Sequence, residues 1–235
     1  MDIVKEINWP KSLPPAAVEQ KLASEQIRFT PNTPEPVTVA AVDTAYGFDG
    51  RMIYASAAAM TWPDLEPVEY VRRHLPAVFP HTPSLLFYRE GPVMLEALSQ
   101  LNCEPDLIIV NGHGMAHPES CGMAGQVGLA FGRPTIGCAR RLLVGRYLPL
   151  DEAKGANQFI RYQGKNVGIA FRSKANVKPV FISPGYLCDL TYAKEMVLSM
   201  LRGYRQPEPL RMAHLYANKY KRKLEKARKK SQPIN

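Results

Sequence analysis

Asp43, Glu90, Asn111 and His117 are the residues of this chain whose types could act together on a phosphate ester. Two carboxylates and an amide oxygen are hard donors, the kind that hold Mg²⁺. A cation so held assists phosphodiester hydrolysis. His117 is of a type that polarises or protonates a group beside the phosphate. Scattered acids occur in every soluble protein, so spacing alone leaves a metal site and ordinary surface carboxylates both open. The fold has to bring these residues together.

The central stretch is 105–118, PDLIIVNGHGMAHP. Leu107 to Val110 is an unbroken apolar run of the kind buried on both faces of a parallel sheet. It stops at Asn111, and Gly112 and Gly114 suit a tight turn. Ligand sites in open α/β sheets lie beyond the carboxyl ends of such strands, which places Asn111, His113 and His117 there. A glycine turn with two solvated histidines is the plainer alternative. Val37 to Val42 reads as another strand whose apolar run Asp43 ends, and parallel pairing of the two would set Asp43 beside Asn111.

Around this centre, 14–28 reads as a helix with proline at its start, and 30–36 as a proline-rich loop. Met52–Met60 and Leu65–Leu75 complete an antiparallel meander with the first strand. Phe79 to Pro92 is a loop stiffened by Pro80 and Pro83. It leads into a helix over Met94–Leu101, with Glu90 just before or inside it; an acid near a helix N-terminus is favourable in its own right. A helix over Glu119–Phe131 and a short parallel strand over Thr135–Cys138 follow. Strands at Val167–Phe171 and Val180–Ser183 and helices at Leu190–Leu201 and Leu210–Lys230 complete the chain. This order predicts an α/β fold, a mixed sheet of antiparallel meander plus parallel strands flanked by helices. With no internal repeat or long linker, 1–235 reads as a single domain.

A chain of 235 residues, 46% of them apolar, can bury a substantial core. Its formal charge of +9 points to an anionic partner, nucleic acid before membrane. The N-terminus lacks the order of a signal peptide. Cys103, Cys121, Cys138 and Cys188 show no CxxC spacing, which argues against zinc or a disulfide framework. A cytoplasmic protein with reduced thiols is expected. The basic run from 219 to 235 reads either as a solvated tail or as a phosphate-contacting arm.

Several blocks resemble the endonuclease V family: FPHTPSLLFYREGP (79–92), VNGHGMAHP (110–118), PTIGCARRLLVG (134–145), FRSKANVKPVFISPGY (171–186) and GYRQPEPLRMAH (203–214). The resemblance runs in order from about residue 16 to residue 214. It implies a ribonuclease H-like fold. It also implies Mg²⁺-dependent nicking, with Mn²⁺ able to substitute, at the second phosphodiester bond 3′ to a deaminated base such as inosine in DNA or RNA. Carried over residue by residue, the metal acids fall on Asp43, Glu90 and Asn111, and the further catalytic positions on His117, Arg140 and His214. The wedge that enters the nucleic acid is Pro80-His81-Thr82-Pro83, and further nucleic-acid contacts fall on Ser84, Leu86, Arg89, Gly112, Gly122, Met123 and Lys174. A monomer in DNA repair, with no membrane and no obligate protein partner, is implied.

The chain departs from the family pattern at functional positions. Asn111 stands for Asp and removes a negative charge; an amide oxygen ligates more weakly and cannot act as a base. His81 stands for the wedge Tyr, Ser84 for a Gly lining the base pocket, and Glu119-Ser120 for a basic pair. Gly125-Gln126 stands for Ser-His, and Tyr186 for His. These changes leave an alternative, a protein that binds a lesion or nucleic-acid structure with impaired hydrolysis.

Overall fold

The computed structural model describes residues 1–230, Lys230 by its backbone alone; residues 231–235 of the basic run lie outside the described part. An eight-stranded mixed sheet has the order β3-β2-β1-β4-β5-β8-β7-β6. The antiparallel meander is β1 (Thr38–Tyr46), β2 (Met52–Thr61) and β3 (Pro67–Pro76). At the centre, β4 (Leu107–Val110) pairs parallel with both β1 and β5 (Thr135–Ala139). Beyond β5, the strands β8 (Val180–Tyr186), β7 (Lys165–Phe171) and β6 (Asn157–Tyr162) are antiparallel.

Helices cover both faces, which is why the central strands are apolar throughout rather than alternating. On one face α1 (Leu13–Ser24), α2 (Leu86–Ser99) and α3 (Met123–Phe131) pack on Ala40, Val42, Ile108 and Val110. On the other, α4 (Leu190–Ser199) and α5 (Glu208–Lys230) pack on Val39, Ala41, Leu107 and Ile109. Among the described residues no helix is long and apolar enough to cross a membrane.

Four expectations are corrected. Asp43 does not close β1: the strand continues to Tyr46 because residues 43–46 stay paired with Ser56 to Ile53 of β2. The helix expected from Met94 begins at Leu86, after a 3₁₀ turn at Pro83–Leu85, so Glu90 lies in its interior. Pro92 is tolerated there because its predecessor is Gly91, which has no Cβ to meet the proline ring. The helix expected from Glu119 begins at Met123. Finally, β6 is an additional edge strand, NQFIRY, which lacks the unbroken apolar run that marks the central strands.

The basic run is also not a free tail. Glu225 is buried and accepts a hydrogen bond from the Tyr54 hydroxyl (2.6 Å). Arg228 pairs with Asp49 at 3.5 Å, and Lys221 and Lys229 lie over the Phe48 ring. Residues 219–230 are thus the last turns of a helix docked on the sheet.

Candidate active site

The site forms where β4 ends and its neighbours continue. Parallel register pairs Val42 with Val110, so the next residues, Asp43 and Asn111, meet. The Asn111 Nδ2 donates to Asp43 Oδ1 at 2.5 Å. Asp43 Oδ1 also accepts from the Thr44 backbone N–H at 2.8 Å, and Oδ2 lies 2.6 Å from His214 Nδ1. Strand alternation turns Asp43 toward α5, which carries His214, and turns Thr44 and Tyr46 toward α2. There the Thr44 hydroxyl donates to Glu90 Oε2 (2.6 Å) and the Tyr46 hydroxyl to Oε1 (2.7 Å). Glu90 is buried, and burial first, then the nearby charge of Asp43, raises its carboxyl above the usual range.

All of these groups except His214 line one cleft of about 610 Å³, together with Gln20, Pro83, Ser84, Leu86, Gly112, His113, His117, Met123 and Gln126. Arg140, Arg141 and Lys178 supply basic groups to it, and Arg205 lines it with its guanidinium donating to the carbonyls of Arg140 and Pro179. The structure therefore brings Asp43, Glu90, Asn111, His117 and Arg140 into one cleft, with His214 joined through Asp43. Sequence reading missed Thr44 and Tyr46, which hold Glu90, and Arg141, Lys178 and Arg205. Lys174 is exposed and does not line the cleft, whereas Lys178 four residues on does. Arg89 faces inward: its guanidinium donates to the carbonyls of Phe79 and Gly50, so it braces the proline loop instead of presenting a free cation. Pro80, His81 and Pro83 are exposed and Thr82 is half-buried, and of the four Pro83 lines the cleft.

Gly114 and Gly122 answer to close approach, not to turn conformation. A Cβ on Gly114 would stand 2.0 Å from the Pro184 carbonyl oxygen, and one on Gly122 2.3 Å from that of His113.

His117 is not poised as a proton donor. Its Nδ1 accepts from the Glu119 backbone N–H (3.2 Å) and its Nε2–H donates to the Ser84 carbonyl (2.8 Å). Burial pushes its pKa down to about 4, so it stays neutral and clamps the loop at Ser84. An unfolded histidine titrates near 6.5. Between these values the unfolded chain binds the extra proton, so this contribution is complete above about pH 6.5 and is lost as pH falls toward 4. Chemical denaturation at pH 6.5, 5.5 and 4.5 should show His117→Gln losing less stability than the parent, by about 1.4 kcal/mol per pH unit. Equal slopes would show that His117 is not held neutral.

The donor chemistry fits a hard divalent cation. Two carboxylates line the same cleft as an amide, and Mg²⁺ is commonly held by one or two carboxylates plus phosphate oxygens. Among the described residues no group of three or more His, Cys, Asp or Glu could hold a metal ion alone. Substrate oxygens would have to complete the set.

A mixed sheet of this order between two helical layers, with Asp43 of β1 set against Asn111 just beyond β4, is a ribonuclease H-like fold. Comparison narrows this further. The profile of the family described as Endonuclease V matches residues 20–215. Endonuclease V of Nostoc punctiforme is 37% identical over 219 residues, covering 93% of this chain and 99% of that one. The crystal structure of Endonuclease V from Bacillus subtilis superposes with a TM-score of 0.89 at 26% identity, over 97% of this chain and 100% of that one. Endonuclease V of Ciona intestinalis shares the fold at 21% identity (TM-score 0.77, 88% of this chain and 97% of that one). It was crystallised with a 24mer DNA containing an inosine followed by a ribo-adenosine. The chain belongs to the Endonuclease V family.

Proposed function

We propose that this protein nicks nucleic acid at the second phosphodiester bond 3′ to a deaminated base, hypoxanthine foremost, with Mg²⁺ or Mn²⁺ as cofactor. The carrying observation is the convergence of Asp43, Glu90 and Asn111 on one basic-rimmed cleft in a member of this family. The inosine-containing DNA bound by the Ciona intestinalis relative supports the substrate class.

Asp43 and Glu90, with the Asn111 oxygen once the amide turns, would hold the cation, whose charge would offset that building on the phosphate during hydrolysis. Thr44 and Tyr46 hold the Glu90 carboxylate, and His214 orients Asp43. Arg140, Arg141 and Lys178 offer positive charge to the backbone. The proline loop at 80–83 is stiff and exposed enough to take the place of an extruded base. Incubation with end-labelled DNA and RNA strands carrying one hypoxanthine tests this. The expected product is a single nick one nucleotide beyond the lesion, dependent on divalent cation; no cation-dependent nick on either strand would overturn it.

One observation favours a second reading, lesion binding with impaired hydrolysis. Asp43 already receives hydrogen bonds from Asn111 and Thr44 and contacts His214, so its oxygens are satisfied without a cation. Tight, lesion-selective binding with no nick would establish it.

The outer face of α5 bears on affinity. A groove lined by His214, Leu215, Asn218, Lys219 and Arg222 runs from the Asp43 partner along exposed basic positions. Each phosphate contact contributes about 0.9 units to the log–log salt slope on duplex DNA. Lys219→Glu combined with Arg222→Glu should flatten that slope by about two such contacts while leaving the ratio of lesion to undamaged binding unchanged. An unaltered slope would show this face to be merely solvated.

A further inference from the structure

Gln126 is buried, and its Nε2 has no hydrogen-bond partner. Buried polar groups are almost always paired, so an orphaned amide donor in the wall of a cleft is a feature to account for. Its surroundings are otherwise satisfied. Gln20 Nε2 donates to the Cys121 carbonyl, and both His117 ring nitrogens are engaged. Gln126 lies three residues after Met123, on the same face of α3, and both line the cleft beside Ser84, Leu86 and Phe87. Leu86, Phe87 and Met123 supply apolar lining to the cleft beside the polar Gln20, Ser84 and His117.

We propose that Gln126 is a specificity-determining residue that, once its side chain turns the free amide N–H into the cleft, donates it to the exocyclic carbonyl of an extruded base. The inference rests on the lesion-directed reading above and names the chemical feature recognised. Hypoxanthine carries a carbonyl acceptor at C6 where adenine carries an amino donor. A carbonyl satisfies the orphaned donor; an amino group opposes it and leaves two donors unpaired. A base with neither group at C6 falls between them. The ordering expected of the parent is hypoxanthine, then purine, then adenine.

The test is equilibrium binding, by fluorescence anisotropy, of single strands carrying hypoxanthine, purine or adenine at one position, without divalent cation and in Ca²⁺. Gln126→Leu removes the donor at similar bulk and should lower hypoxanthine affinity roughly five- to tenfold, leaving purine and adenine affinities within about twofold. Gln126→Glu replaces the donor by acceptors and should remove the preference for hypoxanthine over adenine. Gln126→Leu should also melt no lower than the parent, because it removes a buried group that lacks a partner.

A Gln126→Leu protein that keeps the parent's preference, or loses affinity equally for all three bases, overturns the inference and leaves the lesion-directed reading standing. So does a lower melting temperature, which would give the amide a structural role. A parent that binds all three strands alike overturns the lesion-directed reading and this inference with it.

Discussion

Asn111→Asp should nick hypoxanthine-containing strands at least about tenfold faster than the parent in Mg²⁺, a change of ~1.4 kcal/mol in the barrier. The reason lies in the 2.5 Å hydrogen bond from the Asn111 amide to Asp43. In the parent, that N–H meets one carboxylate oxygen and holds the pair together with no cation. An aspartate cannot donate there, so two like charges would face each other across the same gap until a cation lies between them. A second consequence runs the opposite way. Without divalent cation the Asn111→Asp protein should be less stable by about 1–3 kcal/mol, through the lost bond and the repulsion. Mg²⁺ or Mn²⁺ should restore much of that loss, while raising the parent's melting temperature less. Cleavage rates and melting curves across Mg²⁺ and Mn²⁺ titrations check both arms. A substituted protein that cuts no faster and melts identically with and without cation would show that Asn111 does not limit this site.

The largest stability effect is expected of Gly114→Ala. The new Cβ would stand 2.0 Å from the Pro184 carbonyl oxygen, 2.6 Å from its carbon and 2.7 Å from the Gly185 Cα. All three are backbone atoms of β8, so no side chain can swing aside. The same segment is tied to the turn by Gly114 N–H to the Ser183 hydroxyl (2.9 Å) and Met115 N–H to the Pro184 carbonyl (2.7 Å). Relief must separate β8 from the turn that carries Asn111. We expect a loss of about 3 kcal/mol or more, a fall of about 6–12 °C for a chain of this size. Gly112→Ala is the control: its Cβ would meet the Met123 Cβ at 3.2 Å, a contact that a small shift accommodates. Equal melting temperatures for the two variants would show that the turn is free of β8.

Much of this architecture follows from local pattern. Apolar runs within Val37–Val42 and at Leu107–Val110 read as strands covered on both faces, and that requirement places helices on each side of the sheet. Parallel register then sets Asp43 beside Asn111, a juxtaposition readable from where the two apolar runs stop. The blocks shared with the family pointed to His214, although nothing in its own neighbourhood singles it out.

Other features depend on contacts that no local pattern encodes. Asp43 and His214 are 171 residues apart and meet only because α5 crosses the face to which odd-numbered β1 residues point. Thr44 and Tyr46 look like ordinary strand residues; they become the holders of Glu90 because α2 crosses the opposite face and starts eight residues before its apolar pattern suggests. Arg89 and Lys174 read as cations for a phosphate. The fold turns the first onto two carbonyls, sets the second away from the cleft, and gives Lys178 that place instead. Side-chain type and spacing thus determined which groups exist for chemistry and which strands carry them. Packing of helices across the two faces decided which of those groups meet, because each such contact joins segments whose sequences bear no periodic relation to one another.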